Sequence, residues 1–138
     1  MFGFLKTLFN SKSNDDAIDV HSQHVTLFMH ACKPYVEQRD LMIPRKYTLF
    51  YVYTLGAVMA SLGDAADETL AYAILLEVIP RTSTLEKTDI SSMLGTVTQQ
   101  RNSENGQQFF AAGENDFHAW KSKQANVSQH LAKMLVEA

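Results

Sequence analysis

The sequence Tyr47–Gly63, YTLFYVYTLGAVMASLG, is the longest stretch of the chain without a charged residue. Pro44 lies just before it and suits the first turn of a helix, and Gly63 suits the position just past a helix end. Apolar side chains fall on every side of a helix drawn through the stretch, which indicates burial on every side. The stretch therefore predicts a central helix over about 44–63.

This helix has one face of small side chains. At 100° per residue, Gly56, Ala57 and Ala60 lie beside Leu49 and Tyr53, so the backbone of another helix can approach closely there. The Gly-x-x-x-Ala spacing is a dimer motif only in lipid. A membrane span needs about 20 mostly apolar residues, whereas this stretch is shorter and carries tyrosine, threonine and serine. We therefore predict a buried core helix.

A second apolar helix is predicted over about 67–79. Asp67 suits its N-cap, and Pro80 is expected to end it because proline cannot continue a hydrogen-bonded helix. The acidic connection Asp64–Glu68 is too short for a calcium-binding loop. The two helices together predict a central apolar hairpin.

Apolar residues recur at helical spacing both before and after this hairpin in the sequence. The alternation of apolar and polar residues that is typical of strands does not persist anywhere. A helix is expected from Ser13 or Asn14 to about Lys33, and another from Thr88 or Asp89 with Ile90, Met93, Leu94 and Val97 on its apolar face. The polar stretch Gln99–Gly106 predicts a break. A long C-terminal helix is predicted from residues at helical spacing: Phe110, Gly113, Phe117, Trp120, Gln124, Val127, Leu131 and Met134.

The sequence thus predicts an all-α fold, an irregular five- or six-helix bundle around the hairpin. Residues 1–12 are predicted to form an apolar N-terminal segment, and residues 13–138 one helical domain.

Composition excludes several classes of protein. The 138 residues include 46% hydrophobic and 20% charged residues, which is typical of a globular domain. The net charge of -3 and the dispersed basic residues disfavour nucleic acid as a partner. A single cysteine, Cys32, forms no internal disulfide, and the first residues make a poor signal peptide. We therefore expect a cytoplasmic protein.

The histidines give three interpretations. His21 and His24 are spaced to share a metal ion, but two ligands do not make a site, and Cys32 is too far along the helix to complete one. His21 falls inside the apolar face of its helix, so it is predicted at the margin of the core, hydrogen-bonded to a neighbour. The third interpretation is a pH-responsive role for His21.

Glu77 is the only charge between Thr69 and Ile79. It is expected to reach an exposed strip in the last helical turn, and the alternative is a buried carboxyl group with raised proton affinity. A pocket between helices is a further hypothesis, with lining residues that the chain places on three predicted helices: His21, Tyr47, Tyr51, Tyr53 and Glu77.

Motifs for phosphate loops, dinucleotide binding, zinc sites, di-iron sites and nucleophile elbows are missing from the sequence, so no catalytic residue, metal ligand or cofactor is predicted. The best candidate for a partner-binding element is the N-terminal segment, whose large apolar side chains are Phe2, Phe4, Leu5, Leu8 and Phe9. Each gains about 1.5–3 kcal/mol on full burial. The segment can pack on its own core, on a second copy, in a partner's groove or on a membrane surface.

Three functional hypotheses follow. The first is a non-enzymatic interaction or regulatory protein that acts through apolar helix faces and self-associates, most simply as a homodimer. The second is an enzyme or ligand-binding bundle with a pocket between helices. The third and weakest is a peripheral membrane factor anchored by residues 2–9, because only Lys6 and Lys12 lie near to attract anionic lipid. Removing residues 1–12 distinguishes these hypotheses. Loss of self-association would support the first, loss of liposome binding would support the third, and neither change would favour the second.

Overall fold

The structure, a computed structural model, describes residues 12–82 and 87–138 of the chain. Over these residues the fold is all-α, which confirms the predicted fold class. The helices are α1 (Lys12–Cys32), α2 (Gln38–Leu41), α3 (Pro44–Leu62), α4 (Glu68–Thr82), α5 (Lys87–Arg101), α6 (Glu104–Lys121) and α7 (His130–Glu137). Short 3-10 turns lie at Lys33–Tyr35, Gly63–Ala65 and Val127–Gln129. Within the described ranges, none of the helices has the length and apolarity that crossing a bilayer requires.

Helix α3 occupies the centre of the fold, as the uncharged stretch predicts. It begins at Pro44 and ends at Leu62, and Gly63 follows with a φ of 59°. Nearly every residue from Thr48 to Leu62 is buried. Helices α1, α2, α4, α5, α6 and α7 all contact α3. Its most extensive partner is α6 rather than its hairpin neighbour α4.

The close contact between α3 and α6 depends on two glycines. A Cβ atom at Gly56 would lie 2.1 Å from the carbonyl oxygen of Phe110, and one at Gly113 would lie 2.0 Å from the carbonyl oxygen of Tyr53. Neither carbonyl can move without its helix, so only glycine allows this approach. The small face predicted around Gly56 is therefore confirmed as the site of a close helix crossing.

Helix α4 confirms one predicted end and corrects the other. The Asp67 carboxylate accepts hydrogen bonds from the backbone N–H groups of Thr69 and Leu70, at 2.8 and 3.1 Å, and so caps the first turn. Pro80, however, does not end the helix, which continues to Thr82. Pro80 lacks the N–H that would bond the Leu76 carbonyl, so the helix loses one backbone bond and continues for only two more residues.

The C-terminal region also differs from the prediction of one long helix. Helix α6 ends at Lys121, and the chain turns through Lys123 and Asn126, whose φ angles are 60° and 65°. The short helix α7 then packs on α1, α3 and α6. The predicted break in Gln99–Gly106 is confirmed, because α5 ends at Arg101 and the Ser103 hydroxyl accepts a hydrogen bond from the N–H of Gly106 to cap α6.

Helices α1 and α5 largely agree with the helices predicted from the sequence. Helix α1 ends at Cys32, and Pro34 opens the 3-10 turn that follows it. Helix α5 begins at Lys87, slightly before the predicted start. Val97 is buried on it, while the side chain of Ile90 lies outside the described residues.

Candidate docking cleft

A cleft of about 340 Å³ opens between the end of α1, the short helix α2, the first half of α3 and the end of α4. Among the described residues, its lining combines aromatic and aliphatic side chains with one cation and a few polar groups: Lys33, Gln38, Leu41, Tyr47, Phe50, Tyr51 and Thr82. Clefts of this size and mixed chemistry bind small ligands or the side chains of a protein partner.

A buried ion pair fixes the wall that α2 contributes. Asp40 is only 5% exposed, and its carboxylate accepts a hydrogen bond from Nζ of Lys46 in the first turn of α3, at 3.2 Å. A buried carboxylate without its cation would be costly, so this pair stabilises α2 against α3. Gln38 and Leu41, on either side of Asp40, are thereby held in the lining.

Hydrogen bonds around Thr82 hold the end of α4 next to two other lining residues, Lys33 and Tyr51. Nζ of Lys33 donates to the Thr82 carbonyl at 2.6 Å, and the hydroxyls of Tyr51 and Thr82 are 3.2 Å apart. His30 Nε2 bonds the neighbouring carbonyl of Arg81 at 3.0 Å. These donors satisfy carbonyls that the last turn of α4 leaves without a helical partner, and a cation there also opposes the negative end of the helix dipole.

Exposed apolar side chains adjoin the cleft along the chain. The segment 33–43 contributes Lys33, Gln38 and Leu41 to the lining, and it also carries Tyr35, Met42 and Ile43, which are 49%, 75% and 42% exposed. Three of the six large hydrophobic side chains exposed in the described part of the chain thus lie on this one short segment. We use the name cleft face for the seven lining residues together with Tyr35, Met42 and Ile43.

The structure distributes the predicted pocket residues over different places. Tyr47 and Tyr51 line the cleft, with their rings packed edge to face at 5.2 Å. Tyr53 does not line the cleft and is buried against Phe28 of α1. His21 and Glu77 do not line this cleft. The predicted interface residues Phe2, Phe4, Leu5, Leu8 and Phe9 lie outside the described residues.

Tyr53 belongs to a chain of polar groups that runs from the core to the surface. Its hydroxyl donates to Asp116 Oδ2 at 2.7 Å, and the same oxygen accepts a hydrogen bond from Nδ1 of His130 at 2.7 Å. The Cys32 side chain is hydrogen-bonded to Tyr53.

Burial is the main cause of the raised pKa values of Cys32 and Tyr53, the two buried members of this series. It raises the pKa of the Cys32 thiol to about 12, against a smaller lowering effect of the bond to Tyr53. It also raises the pKa of the Tyr53 phenol far above its usual value, with added contributions from Cys32 and Asp116. Both groups therefore stay protonated at neutral pH and do not supply a nucleophile. The series of hydrogen bonds links α1, α3, α6 and α7.

His21 lies at the edge of the core, as predicted, with Nδ1 bonded to the Ser61 hydroxyl at 2.7 Å. Burial lowers the pKa of His21, and the nearby His24 and Lys121 lower it further. Across the described ranges, no three His, Cys, Asp or Glu side chains are grouped as a metal ion would require.

Glu77 reaches solvent in the last turns of α4, which confirms the exposed-strip interpretation. Its side chain is 46% exposed and lies 3.9 Å from Arg81. Both residues line a smaller surface pocket of about 230 Å³ with Asp15, Ile18 and Asp19 of α1. Of the five described side chains that line this pocket, four are charged.

Five of the seven described lining residues were not predicted from the sequence. Lys33, Gln38, Leu41, Phe50 and Thr82 come from three helices and a turn, and only Phe50 lies beside a predicted pocket residue. The adjacent aromatic pair Phe50 and Tyr51 is the one pattern that could have indicated the site. No family model, curated protein or solved structure matches the chain.

Proposed function

We propose that this protein is a non-enzymatic helical interaction protein that self-associates through the cleft face. The observation that carries the proposal is the coincidence of a partly aromatic cleft with exposed apolar side chains on the segment that forms its wall. Exposed apolar side chains near a concave site are typical of protein interfaces. Tyr35, which is 49% exposed on the cleft face, belongs to a residue type that is enriched among residues that dominate binding energy.

The cleft face is also held in place before any partner arrives. The Asp40–Lys46 ion pair positions α2, and the bonds at Thr82 position the end of α4. A preformed site loses less conformational freedom on binding, and so more of its contact energy appears as affinity.

The test is the oligomeric state of the full chain and of one double variant. In Met42→Gln/Ile43→Thr, both substitutions replace exposed side chains, so the fold is expected to persist. Each lost apolar contact is worth about 1.5–3 kcal/mol if fully buried in the interface, so self-association should weaken by at least about tenfold. Sedimentation velocity over a range of concentrations measures this.

The matched control is Val136→Gln, which removes an exposed apolar side chain from α7, away from the cleft face. It should leave self-association unchanged. A chain that stays monomeric at every concentration contradicts the proposal. So does a double variant that self-associates as tightly as the control.

A second function is favoured by one specific observation. Lys33 and Gln38 lie in the same cleft as three aromatic rings, a combination that suits a small aromatic anion. Native mass spectrometry of the purified protein tests this hypothesis. A small molecule that is retained by the unmodified chain and lost from Gln38→Trp would rank ligand binding above self-association.

A further inference from the structure

The exposed end of the hydrogen-bond series that begins at Cys32 is the imidazole of His130, the first residue of α7. Its side chain is 48% exposed, whereas that of Asp116 is 13% exposed. Nδ1 of His130 lies 2.7 Å from Asp116 Oδ2, and the buried Tyr53 hydroxyl donates to the same oxygen at 2.7 Å. The carboxylate is thus held from the core of the fold, and it holds the imidazole in turn.

This geometry determines which ring nitrogen of His130 carries the proton. A carboxylate oxygen only accepts hydrogen bonds, so Nδ1 keeps the proton and donates it to Asp116. Nε2 then has a free lone pair, and no residue within 12–82 and 87–138 forms a hydrogen bond to it. A half-exposed imidazole in this state presents a neutral nitrogen nucleophile to solvent.

Asp116 also lies close to the charge that develops when Nε2 reacts. Attack by Nε2 on an electrophile leaves a positive charge on the ring, and the Asp116 carboxylate is already bonded to Nδ1 of that ring. A carboxylate in this position both holds the required tautomer and stabilises the charged imidazole, as it does in catalytic triads.

A neighbouring cation favours an anionic electrophile. Lys133 is exposed and lies one turn further along α7, so residues 130 and 133 are neighbours on the surface of the helix. Phosphoryl transfer requires mainly a placed nucleophile and electrostatic stabilisation of the transferring group. The surface at the start of α7 supplies both, with Nε2 of His130 as the nucleophile and the ammonium group of Lys133 as the cation.

We propose that His130 is a phosphoryl-accepting residue, which a small acyl phosphate modifies at Nε2. The Nε2 lone pair attacks the phosphorus atom, the bond between phosphorus and the bridging oxygen breaks, and the carboxylate of the donor leaves with the electron pair of that bond. Nδ1 keeps its proton and its hydrogen bond to Asp116. The cleft face takes no part in this step, so the proposal is independent of self-association.

The first experiment treats the full chain with acetyl phosphate at pH 8. Peptide mass mapping gives the rate of modification of each histidine, and phosphorus NMR identifies the phosphorus–nitrogen bond. His130 should be modified at least about tenfold faster than His118, an exposed histidine of α6. Equal rates at the two residues overturn the proposal, because exposure alone would then explain the modification.

Two variants test the contributions of Asp116 and Lys133. Asp116→Asn keeps the size of the side chain and removes its charge, so modification of His130 should slow at least about tenfold. Lys133→Gln should slow the reaction of His130 with acetyl phosphate but not with diethyl pyrocarbonate, which is uncharged. Arg45→Gln, which removes an exposed cation from the first turn of α3, is the matched control and should change neither rate. An unchanged rate in Asp116→Asn overturns the proposal.

The tautomer of His130 gives a readout that does not depend on its reactivity. In nitrogen NMR spectra at pH 8, His130 should be protonated at Nδ1, whereas His118 should show the Nε2-protonated form that a free imidazole side chain prefers. In Asp116→Asn the Nδ1-protonated form should be reduced, because the amide can donate to Nδ1. A His130 that is protonated mainly at Nε2 in the unmodified chain overturns the proposal.

Discussion

The imidazole of His21 lies where the core meets solvent, bonded to Ser61 and near His24 and Lys121. Burial lowers its pKa from 6.5, and His24 and Lys121 lower it further. The unfolded chain therefore binds a proton at His21 more readily than the folded protein does, and unfolding takes up that proton between the lowered pKa and 6.5. Stability should fall as the pH decreases through this window.

We expect His21→Gln to lose less stability between pH 7.5 and pH 5 than the unmodified protein, because its side chain does not titrate and can still bond Ser61. Urea unfolding at the two pH values measures the difference. His118→Gln, which removes an exposed imidazole from α6, is the control and should retain the pH dependence of the unmodified protein. Equal slopes in all three proteins would show that His21 is not a source of the pH dependence.

Cys32 is fully buried, and its thiol pKa is raised to about 12. Only roughly one thiol in ten thousand is then ionised at pH 8, and the thiolate is the reactive form. We predict that a thiol reagent modifies Cys32 at pH 8 only at the rate of unfolding, and rapidly in denaturant. Ser122→Cys supplies an exposed thiol for comparison. Rapid modification of native Cys32, at the rate of the exposed thiol, would contradict its place in the core.

At the scale of elements, the sequence predicted the helices better than their packing. Pro44 and Gly63 marked the two ends of α3, and the spacing around Gly56 indicated a close helix crossing. The turn after Lys121 was missed because the apolar spacing continues through it from Trp120 to Val127. Asn126, which adopts a positive φ readily, was the available signal.

The extension of α4 past Pro80 could not be predicted locally. Lys33 and His30 supply donors to its last carbonyls from a helix some 50 residues away, and tertiary bonds of this kind leave no pattern in the sequence. The cleft was missed for the same reason. Its lining comes from separate stretches of the chain that meet only once α1, α3 and α4 have packed.

The crossing of α3 and α6 gives a prediction at this scale. In Gly56→Ala the new Cβ would lie 2.1 Å from the Phe110 carbonyl oxygen, so the two helices must separate. We expect a loss of about 1–3 kcal/mol in the free energy of unfolding, or more. Gly95→Ala is the matched control, since its Cβ meets no described atom within 4 Å. There alanine should stabilise the helix by about 0.5–1 kcal/mol. Chemical denaturation compares the two, and a gain in both variants would contradict the close crossing.

At the scale of the whole molecule, one region differs from the rest of the described surface. Most apolar side chains of α3 are enclosed by neighbouring helices, whereas the segment 33–43 leaves Tyr35, Met42 and Ile43 in solvent beside a cleft. The buried Asp40–Lys46 pair keeps that segment in place. An exposed apolar surface that is held rigidly is what association between copies requires.

Hydrogen exchange of the full chain at low and high protein concentration tests this claim most directly. Association should slow exchange of backbone amides in the cleft face, above all from Gln38 to Tyr47, while the buried amides of α3 after Thr54 exchange slowly at both concentrations. The account predicts added protection at high concentration that is centred on the cleft face. Exchange that does not change with concentration, or added protection centred on another surface such as α7, would contradict it.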